Sequence, residues 1–64
     1  MPVIRVEMFK GRTIEHKRAC AEALTDAFLK TCGGTPQSVQ IVFVDIEKHD
    51  WAVAGRLCSD PKPE

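Results

Sequence analysis

The sequence has 64 residues, of which 44% are hydrophobic, and its nine basic side chains balance nine acidic ones. Neither sign of charge forms a run, and no apolar segment approaches the ~20 residues of a membrane span, which argues against nucleic-acid and membrane partners. A chain this short forms one domain, residues 1–64, and buries only about 60% of its unfolded surface, so its high hydrophobic content predicts an oligomer.

Residues 2–9 are predicted to form the first strand. Apolar side chains alternate there with charged ones, in the order Ile4, Arg5, Val6, Glu7 and Met8. A period of two is typical of a strand with one buried face, and it places Arg5 on the outer face. Gly11 then breaks the run.

A helix is predicted from Ile14 to Cys32, with Thr13 as its N-cap and the glycines at 33 and 34 as its end. His16 stands where a capping box prefers Glu or Gln, so we expect that box to be incomplete. The side chains predicted to face inward recur at helical spacing: Cys20, Ala23, Leu24, Ala27, Phe28 and Thr31.

Residues 39–46 are almost wholly apolar and β-branched, which is typical of a strand buried on both faces. Strand, helix and strand make a βαβ unit of the α+β class, and its right-handed crossover makes the strands parallel. One such unit leaves a sheet face and both edges open, so we expect two copies to form a four-stranded sheet with two helices. Residues 48–50 are predicted to form a short turn, residues 51–60 a small hairpin against a neighbour, and residues 61–64 a loose tail.

The three cysteines are odd in number and irregular in spacing, which indicates reduced thiols in the cytoplasm rather than a disulfide framework. His16 and Cys20 share a helical face at i, i+4 spacing and could be read as part of a metal site. Since no further ligand follows at metal spacing, we expect no metal, and Cys20 is more simply a core residue.

Pro2 offers a distinctive chemical group if Met1 is removed, because its ring nitrogen then becomes a free secondary amine. A free α-amino group has a reference pKa of about 7.7–8.0, and an apolar pocket with a nearby cation lowers the pKa of such a group toward neutrality. A general base works best when its pKa lies near the working pH. The alternative is a proline that merely opens an edge strand.

Four motifs, in this order within so short a chain, resemble the 4-oxalocrotonate tautomerase family. They are Met1-Pro2, then Gly11-Arg12-Thr13, then Ser38-Val39, and finally Lys48-His49-Asp50-Trp51-Ala52-Val53-Ala54-Gly55. The resemblance covers nearly the whole chain. It implies a cofactor-independent isomerase that acts on small enols and α-keto acids in aromatic catabolism, and a trimer of dimers with sites at subunit boundaries.

The resemblance also implies the site residues. Pro2 matches the family's general base, Arg12 its carboxylate-binding arginine, and Trp51 the aromatic wall, where phenylalanine is more usual. Gln40 departs from the pattern, because members acting on dicarboxylates carry a second arginine there. Glutamine donates a hydrogen bond but no charge, so the departure favours a monocarboxylic or smaller substrate.

Other interpretations stay open for each residue and for the whole chain. Arg12 alone could be a solvated turn residue, Trp51 an interface anchor, and Gln40 a structural hydrogen-bonding link. The same scaffold could serve a dehalogenase-type hydratase with protonated Pro2 as general acid, although no water-activating group is evident. A third possibility is a catalytically silent oligomeric module.

Overall fold

In the computed structural model, which describes residues 1–62, one long helix joins two parallel strands and a hairpin follows. The elements are β1 (Val3–Phe9), α1 (Ile14–Cys32), β2 (Gln40–Ile46), β3 (Ala52–Val53) and β4 (Arg56–Leu57), with 3₁₀ turns at Pro36–Ser38 and Lys48–Asp50. The predicted α+β class, the parallel βαβ unit and the C-terminal hairpin are confirmed. The last two residues of the predicted tail, Pro63 and Glu64, lie outside the described residues.

The two long strands pair in register over seven residues, from Val3 opposite Gln40 to Phe9 opposite Ile46. Hydrogen bonds mark both ends of the pairing: the Gln40 N–H donates to the Pro2 carbonyl (3.0 Å), and the Lys10 N–H donates to the Ile46 carbonyl (2.9 Å). With a rise of about 3.3 Å per residue, the two ends lie about 20 Å apart.

Helix α1 covers the face of the sheet that carries Ile4, Val6 and Met8. The side chains of α1 that turn toward the sheet are half-buried: Lys17, Cys20, Ala21, Leu24, Thr25, Phe28 and Leu29. The predicted stripe is therefore right for Cys20, Leu24 and Phe28. It is wrong for Ala23, Ala27 and Thr31, which are exposed. Leu24, Phe28 and Leu29 supply the large apolar side chains of this contact, whereas Ala23 and Ala27 lie outside it.

The N-terminus of α1 carries a closed capping box, so the prediction of an incomplete one is wrong. The His16 N–H donates to Thr13 Oγ1 (3.1 Å), and the Thr13 N–H donates to His16 Nδ1 (3.4 Å). An imidazole nitrogen without a proton is a hydrogen-bond acceptor, and it takes the place of the usual Glu or Gln oxygen. Gly33, at φ +80°, ends the helix with its N–H donating to the Leu29 carbonyl (3.0 Å).

The single subunit leaves much of its apolar surface open. None of the described residues is fully buried, and the accessible surface is 5171 Å², against about 4,100 Å² expected for a compact monomer of this mass. The radius of gyration is 15.5 Å, where about 11 Å is usual for 64 residues.

The outer sheet face shows where that open surface lies. Val3, Phe9 and Val42 are exposed there, so the outer face of the sheet is covered only in part within the subunit. The predicted burial on both faces therefore requires a further layer, which other copies of the chain would have to supply.

Within residues 1–62, no helix has the length and apolar character that a membrane crossing requires.

The turn of the hairpin holds Ala54 at φ +54° and Gly55 at φ +77°. A two-residue loop with positive φ at both positions is a type I′ turn, for which Asn-Gly is preferred. A non-glycine residue with a Cβ is strained there, whereas asparagine tolerates this region.

We expect Ala54→Asn to stabilise the folded protein by about 0.5–1 kcal/mol, because it relieves part of a left-handed penalty of about 1–2 kcal/mol. Denaturant unfolding at one fixed protein concentration measures the change. Ala52→Asn, two residues earlier in β3, serves as the control and should destabilise, since asparagine is disfavoured in strands. A loss of stability for Ala54→Asn would contradict the interpretation of turn strain.

Candidate active site

The first part of the candidate site lies where β1 and β2 begin. Pro2 is half-buried, and its carbonyl accepts the Gln40 backbone N–H at 3.0 Å. The Gln40 side chain is exposed, and its Nε2 lies 3.7 Å from Met1 Sδ. While Met1 is attached, the Pro2 nitrogen is a tertiary amide with no basic lone pair. Chemistry at that nitrogen therefore requires the removal of Met1.

The second part lies at the opposite end of the sheet, in the turn that leads into α1. Gly11 adopts φ +129°, and the exposed Arg12 follows it directly before the N-cap Thr13. Arg12 pairs with no carboxylate of residues 1–62. It borders an open groove of about 350 Å³ between β1 and α1, lined by Met8, Arg12, His16, Lys17 and Cys20. An unpaired guanidinium at such a groove is suited to a carboxylate.

Trp51 lies at the same end of the sheet as Arg12. Its ring packs on Phe9, with centroids 4.7 Å apart and planes tilted by 54°, and Lys48 Nζ lies 5.9 Å from the centre of the Phe9 ring. The Cys58 N–H donates to the Trp51 carbonyl (2.8 Å), so the hairpin fixes the backbone of Trp51. Phe9 is on the outer sheet face, whereas its neighbour Met8 faces α1 and the groove.

The four predicted site residues thus form two separate pairs. Pro2 and Gln40 are adjacent, and Arg12 and Trp51 share the other end, about 20 Å away along β1. That distance is far beyond the reach of one small substrate. A site that contains both Pro2 and Arg12 therefore has to combine two copies of the chain.

Two residues beside these pairs were not predicted to belong to the site. Phe9 supports Trp51, and His16 shares the groove with Arg12. Phe9 ends the alternating run of β1, but its contact with Trp51, 42 residues later, depends on the tertiary fold. In the sequence, His16 was noted as an unusual capping residue and as a neighbour of Cys20 on one helical face, and neither signal indicates a carboxylate-binding groove.

Comparisons with known proteins agree with this architecture. The model of a family described as tautomerase enzyme matches residues 2–60. A probable tautomerase of Ralstonia nicotianae is 44% identical over 57 residues, which cover 89% of this chain and 88% of that protein. The 2-hydroxymuconate tautomerase of Bacillus subtilis is 37% identical over 60 residues, covering 94% of this chain and 97% of that protein.

Solved structures show the same fold. The crystal structure of YwhB, a homologue of 4-oxalocrotonate tautomerase, superposes with a TM-score of 0.90 at 34% identity, covering 95% of this chain and 100% of that one. TomN, a 4-oxalocrotonate tautomerase homologue in the tomaymycin biosynthetic pathway, gives a TM-score of 0.86 at 33% identity, covering 91% and 89%. The fold and the sequence together define a tautomerase-type isomerase. The chain belongs to the tautomerase family.

Proposed function

We propose that the protein is a cofactor-independent tautomerase of small enol and α-keto acids, with Pro2 as general base after removal of Met1. The observation that carries this proposal is the family match over residues 2–60, which begins at Pro2 itself. The unpaired Arg12 and the aromatic pair at Trp51 support it, because they supply a carboxylate anchor and an apolar wall. A cytoplasmic enzyme of aromatic catabolism is the setting that the resemblance implies.

The site forms when two subunits join through their β1 edges in antiparallel fashion. Such a pairing places the start of one β1 beside the end of the other, about 4.8 Å away across the new ladder. Pro2 of one copy then lies near Arg12 of the second. Pairing through β2 instead would leave two further strands between these groups. The β1 pairing gives the four-stranded sheet with both helices on one face, and three such dimers make the proposed hexamer.

Each group then has one role in proton transfer. The uncharged Pro2 nitrogen removes a proton from the enol hydroxyl, and the resulting ammonium returns a proton to carbon, which gives the keto acid. In the equivalent carbon-to-carbon shift, the proton leaves one carbon and arrives at another. Arg12 holds the carboxylate throughout, which keeps the reacting atoms beside Pro2.

The surroundings set the basicity of Pro2. We expect the pKa of its amine to lie below that of an ordinary α-amino group, because Trp51 excludes water and Arg12 disfavours a second positive charge nearby. An amine with a lowered pKa is uncharged over more of the neutral range and is therefore available as a base.

Gln40 sets the substrate class within this proposal. It lies beside Pro2 and offers amide donors without charge, whereas Arg12 supplies the guanidinium of the proposed site, unless a neighbouring copy brings Arg5 or Arg56 to it. One carboxylate is therefore bound strongly and a second one weakly.

Mixed oligomers test whether the site is shared. We expect a variant extended by one residue before Pro2 and the variant Arg12→Ala to restore activity when refolded together. Half of randomly formed dimers are mixed, and one of their two sites keeps both native groups, so about one quarter of parental activity should return. Each variant refolded alone is the control. No gain on mixing, or a stably folded monomer at micromolar concentration in sedimentation, would contradict the shared site.

Extending the N-terminus tests whether activity requires the free amine of Pro2. Extension by one residue should abolish tautomerase activity and leave the circular dichroism spectrum unchanged, because an acylated proline nitrogen cannot accept a proton. Intact mass spectrometry establishes whether Met1 is absent from active material. Full activity of the extended protein on an enol substrate would rule out Pro2 as the base.

Arg12 and Gln40 are tested by substrate choice. Losing a charge-assisted hydrogen bond costs about 1.5–3 kcal/mol, so Arg12→Ala should lower kcat/KM for phenylenolpyruvate by roughly tenfold or more. Gln40→Arg should selectively improve the dicarboxylate 2-hydroxymuconate. The parent protein, assayed on both substrates, is the reference. This interpretation of Gln40 is wrong if the parent protein strongly prefers the dicarboxylate and Gln40→Arg leaves activity on the dicarboxylate unchanged.

A further inference from the structure

The groove beside Arg12 contains a side chain to which the proposed chemistry gives no role. Met8 and Cys20 are half-buried and form the apolar floor, while Arg12, His16 and Lys17 form the rim. None of these five residues is acidic. The groove therefore combines an apolar surface with a rim of hydrogen-bond donors, which suits a small organic acid.

The charges on the rim are not equivalent. Lys17 Nζ lies 2.8 Å from Asp45 Oδ2 on β2, so its charge already has a partner. Arg12 has no such partner among residues 1–62. The rim thus presents one unpaired positive charge, which matches one carboxylate.

The capping box determines which edge of the His16 ring is free. His16 Nδ1 accepts the Thr13 backbone N–H, and an accepting ring nitrogen carries no proton. In the neutral ring the proton is then on Nε2, a tautomer that we infer from this hydrogen bond. With Nδ1 turned to the helix backbone, the Nε2–H edge is the one left to border the groove.

We propose that His16 is a second substrate-binding residue, whose Nε2–H donates to the carboxylate that Arg12 holds. This inference rests on the proposed function, and it adds a binding residue to that site. The carboxylate accepts from the guanidinium on one side and from the imidazole on the other, and Met8 and Cys20 form the apolar floor beneath it. The ligand class is a monocarboxylic acid with an apolar substituent.

The decisive variant is His16→Glu. Glutamate is the preferred residue at this capping position, and an acidic side chain suits the first turn of a helix, so the fold should be as stable as before or more so. Its carboxylate cannot donate a hydrogen bond, however, and it repels a bound carboxylate. We expect the Kd for 3-phenylpropanoate, measured by NMR titration of the oligomer, to rise at least about tenfold, with an unchanged or higher Tm.

Two further variants serve as matched controls. Ala19→Glu introduces a similar negative charge one turn along, on the exposed side of α1 and outside this groove, and should leave the Kd unchanged. His16→Gln keeps both a capping oxygen and an N–H donor, so its Kd should stay within about threefold of the parent value.

The outcomes separate this inference from the proposed function, because 3-phenylpropanoate cannot tautomerise and its binding does not depend on Pro2. The inference is overturned if His16→Glu binds the acid as tightly as the parent, or if Ala19→Glu weakens binding equally. If the protein gives that result and is still an active tautomerase, the proposed function stands and only the binding role of His16 is overturned. Binding that depends on His16, in a protein without tautomerase activity, supports the inference while the proposed function fails.

Discussion

The parallel pairing of β1 with β2 is the constraint on which the remaining structure depends. One crossover helix over a two-stranded sheet leaves the strands no other direction, and the register then assigns every residue to an end and a face. Both strand beginnings meet at one end, with Pro2 and Gln40, while Arg12 and Trp51 follow at the other end. The chemistry proposed for this protein therefore has to cross a subunit boundary, since no movement within one copy closes about 20 Å.

The same arrangement couples stability to function. The subunit has no fully buried residue among those described and exposes Val3, Phe9 and Val42 on the outer sheet face. A chain of this size with so little core would gain little stability alone, and contacts between copies would supply the missing burial. Joining the β1 edges would also bring the two halves of the site together. Assembly and catalysis would then depend on one interface.

Salt bridges occupy several of the cations near the sheet and on α1, but not Arg12. Lys10 pairs with Glu47, Lys17 with Asp45 and Lys30 with Asp26, at 2.8–3.2 Å. Such largely exposed pairs add little to stability, but each of them occupies a cation. Arg12 has no partner among the described carboxylates, and the uncharged Gln40 lies beside Pro2. In the proposed site, this distribution would favour one negative charge near the turn and none near the proline.

Periodicity and turn residues in the sequence determined the elements themselves: α1 from Ile14 to Cys32, the two long strands to within a residue, and the hairpin. These elements depend on the local geometry of the backbone. The spacing of apolar residues shows the helix and strand periods, and the glycines mark the turns. The motifs also indicated the family. The closed capping box of His16 was missed and half of the predicted stripe of α1 was wrong, because they depend on ring orientation and on which side chains the sheet accommodates. Only the tertiary structure decided that Gln40 lies beside Pro2 and that Trp51 packs on Phe9, because strand register and the packing of the hairpin bring together residues that are distant in sequence.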